Sequence, residues 1–333
     1  MSSASRRPMQ RSDLCIIAHA SQATLARMVV KRYMDIGTKL QNGKADFYEI
    51  VSWDHFADGF PNLFIQNVHC LAGKDVIFLA SFHSSPVIFE QLSLLYQLPM
   101  YAVRSLTVLL PYFPTGTMER IDVEGQIATA KSLAVMLSQI PLTACGPCYL
   151  AIFDIHSLQE RFYFTSSLVP RLLSAVPYFM KLIFEKDPEA VIAFPDAGAE
   201  KRFGKMVPAG KQTIVCTKIR DGDSRQVKIK EGNPKDKHVV IVDDLVQSGG
   251  TLLEAGKVLQ SNGAIRLSCF VTHAVFPQES WKKFLPSKNG TSLFDDIWIT
   301  DSLPHAREIC KHKPFNLLSL DSMIAEFLID FPL

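Results

Sequence analysis

Two adjacent carboxylates followed by a turn of small residues form the sharpest chemical signal in this sequence. The segment from His238 to Leu252 reads HVVIVDDLVQSGGTL, so an unalternating apolar strand leads directly into Asp243 and Asp244. The small residues at 248–251 then open a predicted helix. Such a turn exposes consecutive backbone N–H groups at the positive end of a helix, and this arrangement suits a phosphate monoester.

The same segment has the donors and acceptors needed to hold a sugar phosphate. The hydroxyls of Ser248 and Thr251 add donors for a phosphate, and the two acids can bind vicinal sugar hydroxyls or a magnesium ion. Together these features describe a site for a pentose 5-phosphate. The alternative interpretation is a strand that simply ends in a solvated acidic turn. The added Ser-Gly-Gly-Thr sequence at this spacing favours the binding site.

This segment closely resembles the ribose-phosphate binding loop shared by type I phosphoribosyltransferases and phosphoribosyl pyrophosphate (PRPP) synthetases. Further segments occur in the order found in PRPP synthetases, and the resemblance runs over roughly residues 45–330. Those segments are 111–114 with 119–120, 153–156, 194–202 and 217–220. Within that family the chain looks most like the plant-type class II enzymes, through segments 56–62, 113–117 and 159–164.

The resemblance implies a ribose-phosphate diphosphokinase, which transfers the β,γ-diphosphoryl group of ATP to O1 of ribose 5-phosphate and gives PRPP and AMP. Mg²⁺ is the implied cofactor because charge accumulates on the nucleotide phosphates as the bond to AMP breaks. His156 and Asp196 match the positions beside that metal and the nucleotide, and each follows a predicted strand. The implied ribose 5-phosphate contacts are Asp243, Asp244, Gln247, Ser248, Gly249, Gly250 and Thr251.

The resemblance also assigns contacts with ATP in the first half of the chain. Phe56, Asp58 and Phe60 match the segment that contacts adenine, often from a neighbouring subunit, and Glu119 and Arg120 add further contacts. Class I enzymes carry an acid at the position of Phe60 and an Arg-Gln pair near residues 117–118, so their ATP contacts do not transfer directly. The class II resemblance therefore implies looser nucleotide choice and no requirement for free phosphate.

Short apolar runs alternate with amphipathic stretches from end to end, which predicts the α/β class. With the resemblance, we expect two similar phosphoribosyltransferase-like domains, 1–165 and 166–333, each a largely parallel sheet flanked by helices, with the active site between them. The predicted strands are 14–18, 76–80, 106–110, 149–153, 191–194, 213–217, 239–242, 267–271 and 297–300. The predicted helices are 23–33, 87–96, 125–137 and 251–260.

Composition and charge limit the remaining partners. The formal charge of +2 is too small for nonspecific nucleic-acid affinity, so we expect no nucleic-acid partner. Gly and Pro interrupt the longest uncharged stretch, 132–153, so we expect no membrane partner. The odd count of seven cysteines favours a reducing cytoplasm. The basic N-terminus meets Asp13 before any long apolar run, which argues against a secretory signal. The family resemblance implies a homo-oligomer.

Two other functions share parts of this pattern. A phosphoribosyltransferase that consumes PRPP would share the loop at 243–251 but would not need the motifs at Glu119, His156 and Lys218. A non-catalytic regulatory homologue would bind sugar phosphate without turnover. The Cys145-Gly-Pro-Cys148 motif precedes a predicted strand, whereas a redox motif of this type opens a helix, so we expect no redox catalysis there.

Lys218 and Arg220 follow a predicted strand and precede a polar stretch, which by spacing alone indicates a solvated loop. In PRPP synthetases the matching residues lie on a catalytic loop that closes over the transferring phosphoryl groups. Cations that arrive only with closure stabilise the transition state more than the bound substrates. We therefore expect Lys218→Ala or Arg220→Ala to lower kcat by about a hundredfold or more and to leave ribose 5-phosphate binding largely intact, as steady-state kinetics and direct binding would measure. Near-wild-type turnover in both variants would remove them from the mechanism.

Overall fold

The computed structural model describes residues 13–40, 43–221, 224–287 and 289–330, with the backbone alone at 38–40, 218–221 and 224–226. The basic N-terminal segment before Asp13 lies outside the described residues. None of the described helices combines the length and the apolar composition needed to cross a lipid bilayer.

The described residues form fifteen strands and eight α-helices. The strands are β1 (Leu14–Ala18), β2 (Ala45–Phe47), β3 (Val51–His55), β4 (Pro61–Ile65), β5 (Asp75–Leu79), β6 (Ser105–Leu110), β7 (Cys148–Phe153), β8 (Leu168–Leu173), β9 (Val191–Phe194), β10 (Thr213–Asp221), β11 (Ser224–Glu231), β12 (His238–Val246), β13 (Arg266–Ala274), β14 (Asp296–Thr300) and β15 (Phe315–Leu318). The helices are α1 (Ala23–Leu40), α2 (Ser85–Gln97), α3 (Thr129–Leu137), α4 (Val176–Lys186), α5 (Ala197–Phe203), α6 (Gly250–Ser261), α7 (Ala306–Ile309) and α8 (Asp321–Asp330).

The chain divides into two compact units. The first comprises residues up to Ile152, Ser157–Arg171 and the C-terminal part from Asp321, and the second comprises Phe153–His156 and Leu172–Leu320. The division expected from the sequence placed all residues after 165 in the second half. The two divisions differ at 153–156, at 166–171 and at α8. Helix α8 packs against α1 of the first unit, where Arg32 Nε lies 3.4 Å from Asp321 Oδ2.

The first unit contains a six-stranded sheet in the order β2-β1-β5-β6-β7-β8. Its central strands are mostly apolar, such as LCIIA in β1 and SLTVLL in β6, and all residues of these two strands are buried. Strands buried on both faces are typical of parallel sheets covered by helices. A separate two-stranded antiparallel sheet, β3-β4, was not predicted, because its strands are short and largely exposed.

The second unit contains a seven-stranded sheet in the order β11-β10-β9-β12-β13-β14-β15. All neighbours pair in parallel except β10 and β11, which pair antiparallel at the edge. Strand β12 lies near the centre, with β9 on one side and β13 on the other. The predicted α/β class with largely parallel sheets is therefore confirmed, and β12 brings its carboxyl end to the middle of a sheet edge.

Strands β10 and β12 both run further than the apolar runs that predicted them. Strand β12 continues through the two acids because its pairing with β13 extends to Val246 opposite Ala274. Strand β10 continues past Thr217 to Asp221 and pairs with β11, where the sequence indicated a loop. Val227 of β11 is buried while Lys228 is exposed, which is the alternation of an edge strand with one covered face.

Candidate active site

The carboxyl end of β12 carries the two predicted acids in different environments. Asp244 is buried, and its Oδ2 accepts a hydrogen bond of 2.6 Å from Nδ1 of His156. The backbone N–H of Asp244 donates to Oδ1 of Asp243 at 3.0 Å. The second unit thus brings together Asp243, Asp244 and His156, although His156 precedes the acids by nearly ninety residues, with a separation of 88 from Asp244.

Negative charge accumulates around Asp243. Loss of solvation raises the pKa of this carboxyl well above its ordinary value, and the charges of Asp244 and Asp196 raise it further. Hydrogen-bond donors or a cation would stabilise the ionised carboxylates, and oxygen ligands of this kind suit Mg²⁺. Within the described residues, no group of three or more His, Cys, Asp or Glu side chains forms a ready metal cage.

The turn after β12 places a helix N-terminus beside these acids. Gln247 and Ser248 are exposed, Gly249 has φ 82° and ψ −2°, and α6 begins at Gly250. The first amides of a helix have no acceptor within the helix, so those of α6 are available to an anion. The structure therefore places the predicted phosphate-binding residues at 247–251 on one turn, with Thr251 half-buried in the first helical turn.

Gly249 is required at this turn for two physical reasons. Its φ lies in the left-handed region, which residues with a side chain rarely adopt. A Cβ built there would lie 2.5 Å from Cε2 of Phe284. The Phe284 ring is buried and packs edge to face with Phe276, with 5.6 Å between ring centroids, so it cannot easily move away. The aromatic residues therefore determine how closely the turn approaches the core.

Asp196 follows β9 and caps α5. Its Oδ1 accepts hydrogen bonds from the backbone N–H groups of Gly198 and Ala199 at 3.0 and 3.1 Å. Its negative charge is one cause of the raised pKa of Asp243. Burial is the main reason why the pKa of the Cys216 thiol is raised to about 11, and the charge of Asp196 adds to that effect. The predicted position after a strand is correct, and the structure shows a helix-capping role that the sequence did not assign.

Asp154 is a residue of this site that the sequence analysis did not assign. It is fully buried with φ 35°, and it accepts hydrogen bonds from Ser174 Oγ at 2.5 Å, Ala175 N at 2.9 Å and Thr272 Oγ1 at 2.6 Å. These bonds hold the turn that carries His156, two residues later. The signal available in the sequence was an acid directly after the apolar strand at 149–153.

His273 is a second unassigned residue in the same network. Its Nε2 donates to the carbonyl oxygen of Phe153 at 3.0 Å, and burial lowers its pKa below the ordinary value. A neutral imidazole in this position fixes the end of β7 without adding positive charge near the acids.

The residues assigned to ATP lie in the first unit, apart from His156. Phe56, Asp58 and Phe60 form the turn between β3 and β4, where Phe56 and Phe60 are 56% and 64% exposed. Asp58 Oδ1 accepts from the backbone N–H of Phe60 at 3.1 Å. Further along the chain, the side chain of Glu119 is mostly buried, and Arg120 Nε lies 3.4 Å from Asp122 Oδ1.

The two predicted catalytic residues lie on β10, and their side chains are outside the described part of the structure. Their backbones pair with β11, with Lys218 opposite Val227 and Arg220 opposite Arg225. Both residues thus belong to an edge hairpin. Their predicted role stays a prediction.

The motif Cys145-Gly-Pro-Cys148 lies in the turn before β7. Cys148 is the first residue of that strand and is fully buried, and burial raises the pKa of its thiol to about 12. All seven cysteines are free thiols in the described residues. A thiol with so little thiolate at neutral pH is a poor nucleophile.

Comparisons with known proteins identify similar sequences and a similar structure. A family model described as "Phosphoribosyl transferase domain" matches residues 169–307. "Ribose-phosphate pyrophosphokinase 4" of Arabidopsis thaliana is 50% identical over 84% of this chain and 83% of its own length. "Ribose-phosphate pyrophosphokinase 3, chloroplastic" of Oryza sativa subsp. japonica is 50% identical over 91% of this chain and 73% of its own length. The structure of "phosphoribosylpyrophosphate synthetase from Mycobacterium smegmatis" shares the fold, with a TM-score of 0.73, 19% identity and coverage of 96% and 99% of the two chains.

The turn at Gly249 yields a direct test of the packing described above. Gly249→Ala is expected to lower the free energy of unfolding by about 2–3 kcal/mol, because the new methyl group meets the Phe284 ring at a strained φ. Urea unfolding followed by tryptophan fluorescence measures this change. The matched control is Gly250→Ala, whose Cβ would meet only Ser248 Oγ at 3.9 Å, and we expect a change within about 1 kcal/mol. Equal effects of the two substitutions would contradict the packing explanation.

Proposed function

This chain belongs to the ribose-phosphate pyrophosphokinase family, and we propose that the turn from Gln247 to Thr251 is where it binds ribose 5-phosphate. The reaction transfers the β,γ-diphosphoryl group of ATP to O1 of the sugar and yields PRPP and AMP. The observation that carries the assignment is the junction of β12 and α6, where helix amides and two acids meet at one turn.

The chemistry of the turn matches the two ends of the substrate. The backbone amides of 248–251 and the hydroxyls of Ser248 and Thr251 would bind the 5-phosphate, since they are the donors at the positive end of α6. Asp243 and Asp244 would accept hydrogen bonds from the ring hydroxyls. Because His156 donates to Oδ2 of Asp244, this carboxylate is held in one orientation.

We place the cofactor Mg²⁺ at the same edge of the sheet. Asp196 and His156 would hold it together with the nucleotide phosphates, and the acidic surroundings of Asp243 support a cation there. When bound, the ion neutralises charge on the phosphates and polarises the transferring group. The residues of the chain orient the sugar so that its O1 faces the triphosphate.

The roles of Lys218 and Arg220 are proposed from the family pattern. Two cations on the β10–β11 hairpin would stabilise the charge that develops between the transferred group and AMP. Beyond Val215, β10 pairs with β11 and no longer with β9, so this end of the hairpin is bonded to the sheet less extensively, which supports a movable element.

For the nucleotide, we propose that adenine stacks on the exposed turn 56–60, with Glu119 and Arg120 nearby as further contacts. Exposed phenylalanine rings provide a stacking surface for any base. An acid that class I enzymes carry is replaced by Phe60, which supports looser choice among nucleoside triphosphates. The same departure supports activity without added inorganic phosphate.

We also propose that the chain assembles into homo-oligomers. Phe56, Phe60 and Phe64 all belong to the β3–β4 hairpin and are more than half exposed. Clustered exposed apolar side chains of this kind mark interaction surfaces. No nucleic-acid partner is proposed, since the net charge of +2 offers no basic surface field.

The cellular location stays a prediction. The sequence favours the cytoplasm through its odd number of cysteines, whereas relatives are named as chloroplastic in Oryza sativa and mitochondrial in Spinacia oleracea. We propose the cytoplasm as the first location to test, with plastids as the second.

Two alternative functions can be distinguished by the products that would form. A PRPP-consuming phosphoribosyltransferase would release diphosphate from PRPP and a base, and a regulatory homologue would bind sugar phosphate without forming AMP. Neither explains the joint presence of His156, Asp196, Lys218 and Arg220.

A coupled assay tests the reaction and the sugar site together. With ATP, Mg²⁺ and ribose 5-phosphate, we expect AMP and PRPP in equal amounts. Asp243→Asn is expected to raise the KM for ribose 5-phosphate by about 10–100-fold, since the amide replaces one hydrogen-bond-accepting oxygen with a donor, while the KM for ATP stays constant. The control is Asp236→Asn, which removes an exposed carboxylate of the same unit. Sugar phosphate binding without AMP would favour the regulator.

A second assay tests the nucleotide surface. Phe60→Ala is expected to raise the KM for ATP by about fivefold, because a stacking contact is lost, and to leave the KM for ribose 5-phosphate unchanged. Phe89→Ala, which removes an exposed ring from α2 of the same unit, is the control. An unchanged KM for ATP in Phe60→Ala would exclude stacking at this turn. Repeating the assay with each nucleoside triphosphate, with and without phosphate, measures donor choice.

A further inference from the structure

An irregular helical segment lies against the phosphate-binding turn of the second unit. This brace segment, Pro277–Phe284, follows β13 and ends at the phenylalanine that packs under Gly249. The backbone here is strained. Phe276, directly before the segment, has a φ of 41°, and Gln278 and Glu279 within it have φ values of 53° and 55°. Left-handed conformations at residues with side chains carry an energetic cost and persist where surrounding structure maintains them. Phe276 and Phe284, both buried, anchor the two ends.

Two side chains of the brace segment donate hydrogen bonds to the phosphate-binding turn. Ser280 Oγ donates to the carbonyl oxygen of Gln247 at 2.9 Å. Lys283 Nζ donates to the carbonyl oxygen of Ser248 at 3.3 Å. Both acceptors are main-chain oxygens of consecutive residues, so the brace segment contacts the backbone of the turn at two successive peptide groups.

The direction of each peptide group follows from these contacts. In a planar trans peptide, the carbonyl oxygen of one residue and the N–H of the next point in opposite directions. Holding the oxygen of Gln247 therefore directs the N–H of Ser248 away from the brace segment. Holding the oxygen of Ser248 does the same for the N–H of Gly249. These two amides are the first donors of the proposed phosphate site.

The glycine in this turn is the reason why the peptide orientation must be fixed by other residues. Gly249 can adopt positive and negative φ at little cost, so the peptide between Ser248 and Gly249 can rotate and turn its N–H inward. A positive ammonium group at the Ser248 oxygen favours one of the two orientations. It also polarises the peptide group, which makes the N–H a stronger donor.

We propose that Ser280 and Lys283 are positioning residues for the 5-phosphate of ribose 5-phosphate: by holding the carbonyl oxygens of Gln247 and Ser248, they aim the Ser248 and Gly249 amides at the substrate. The inference rests on the proposed role of the turn as the ribose 5-phosphate site. Neither side chain is required to touch the sugar phosphate.

The neighbouring lysine provides a matched control. Lys282 Nζ bonds to Glu279 Oε2 at 2.7 Å within the brace segment, whereas Lys283 Nζ bonds to the turn. Replacing either lysine by methionine removes one positive charge and keeps the apolar stem. A general effect of charge would appear in both variants, whereas an effect on the peptide orientation would appear only in Lys283→Met.

The experiment measures the binding of ribose 5-phosphate to the whole enzyme in two ways. In steady-state kinetics, Ser280→Ala and Lys283→Met are each expected to raise the KM for ribose 5-phosphate by about fivefold, with kcat within about twofold and the KM for ATP unchanged. Calorimetric titration with ribose 5-phosphate alone is expected to show the same loss of affinity. Lys283→Arg keeps a cationic donor and is expected to restore most of the binding, while Lys282→Met is expected to resemble the wild type.

The outcomes separate this inference from the proposed function. If the wild type binds ribose 5-phosphate and both variants bind it equally well, the positioning role is overturned. An equal loss in Lys282→Met would also overturn it, because the effect would then be one of net charge. If the wild type does not bind ribose 5-phosphate, the proposed site fails and the inference fails with it. Thermal unfolding of each variant shows whether a loss of binding follows from a loss of stability, and a loss confined to an unstable variant counts against the proposal.

Discussion

The approach of the Gly249 backbone to the Phe284 ring is the contact on which the candidate site depends. It allows β12 to pass into α6 through one tight turn, and it leaves the first amides of the helix beside two carboxylates. A side chain at this position would push the turn away from the aromatic cluster. The shape of the candidate phosphate site is therefore a consequence of core packing as much as of loop composition.

Three acidic side chains and a histidine are associated with this turn. Burial raises the pKa of Asp243, the nearby charges of Asp244 and Asp196 raise it further, and His156 forms a hydrogen bond with Asp244. Ionising closely spaced, buried carboxyl groups is costly, and hydroxyl donors or a divalent cation would offset that cost. The proposed sugar phosphate and Mg²⁺ would bring such groups.

Buried polar residues hold the surrounding turns in place. Asp154 accepts three hydrogen bonds from Ser174, Ala175 and Thr272, and His273 fixes the end of β7 through the carbonyl of Phe153. On the other side of the phosphate turn, Ser280 and Lys283 reach its main-chain oxygens. The residues that position the site are thus drawn from several distant parts of the sequence.

The amino-acid sequence by itself determined the α/β class and the buried strands of both sheets, and it singled out residues 243–251 as the candidate binding segment. Apolar runs, adjacent acids and small-residue turns are local features, so the sequence is enough to show them. It also determined the family, through several motifs in a fixed order. Only the tertiary structure decided that α8 packs on α1 and that residues after Thr217 extend β10 and pair with the edge strand β11. It also decided which residues support the candidate site: Asp154, His273, Ser280, Lys283 and Phe284. These outcomes depend on contacts between residues far apart in the chain, and such contacts leave no periodic pattern or local spacing from which they could be predicted.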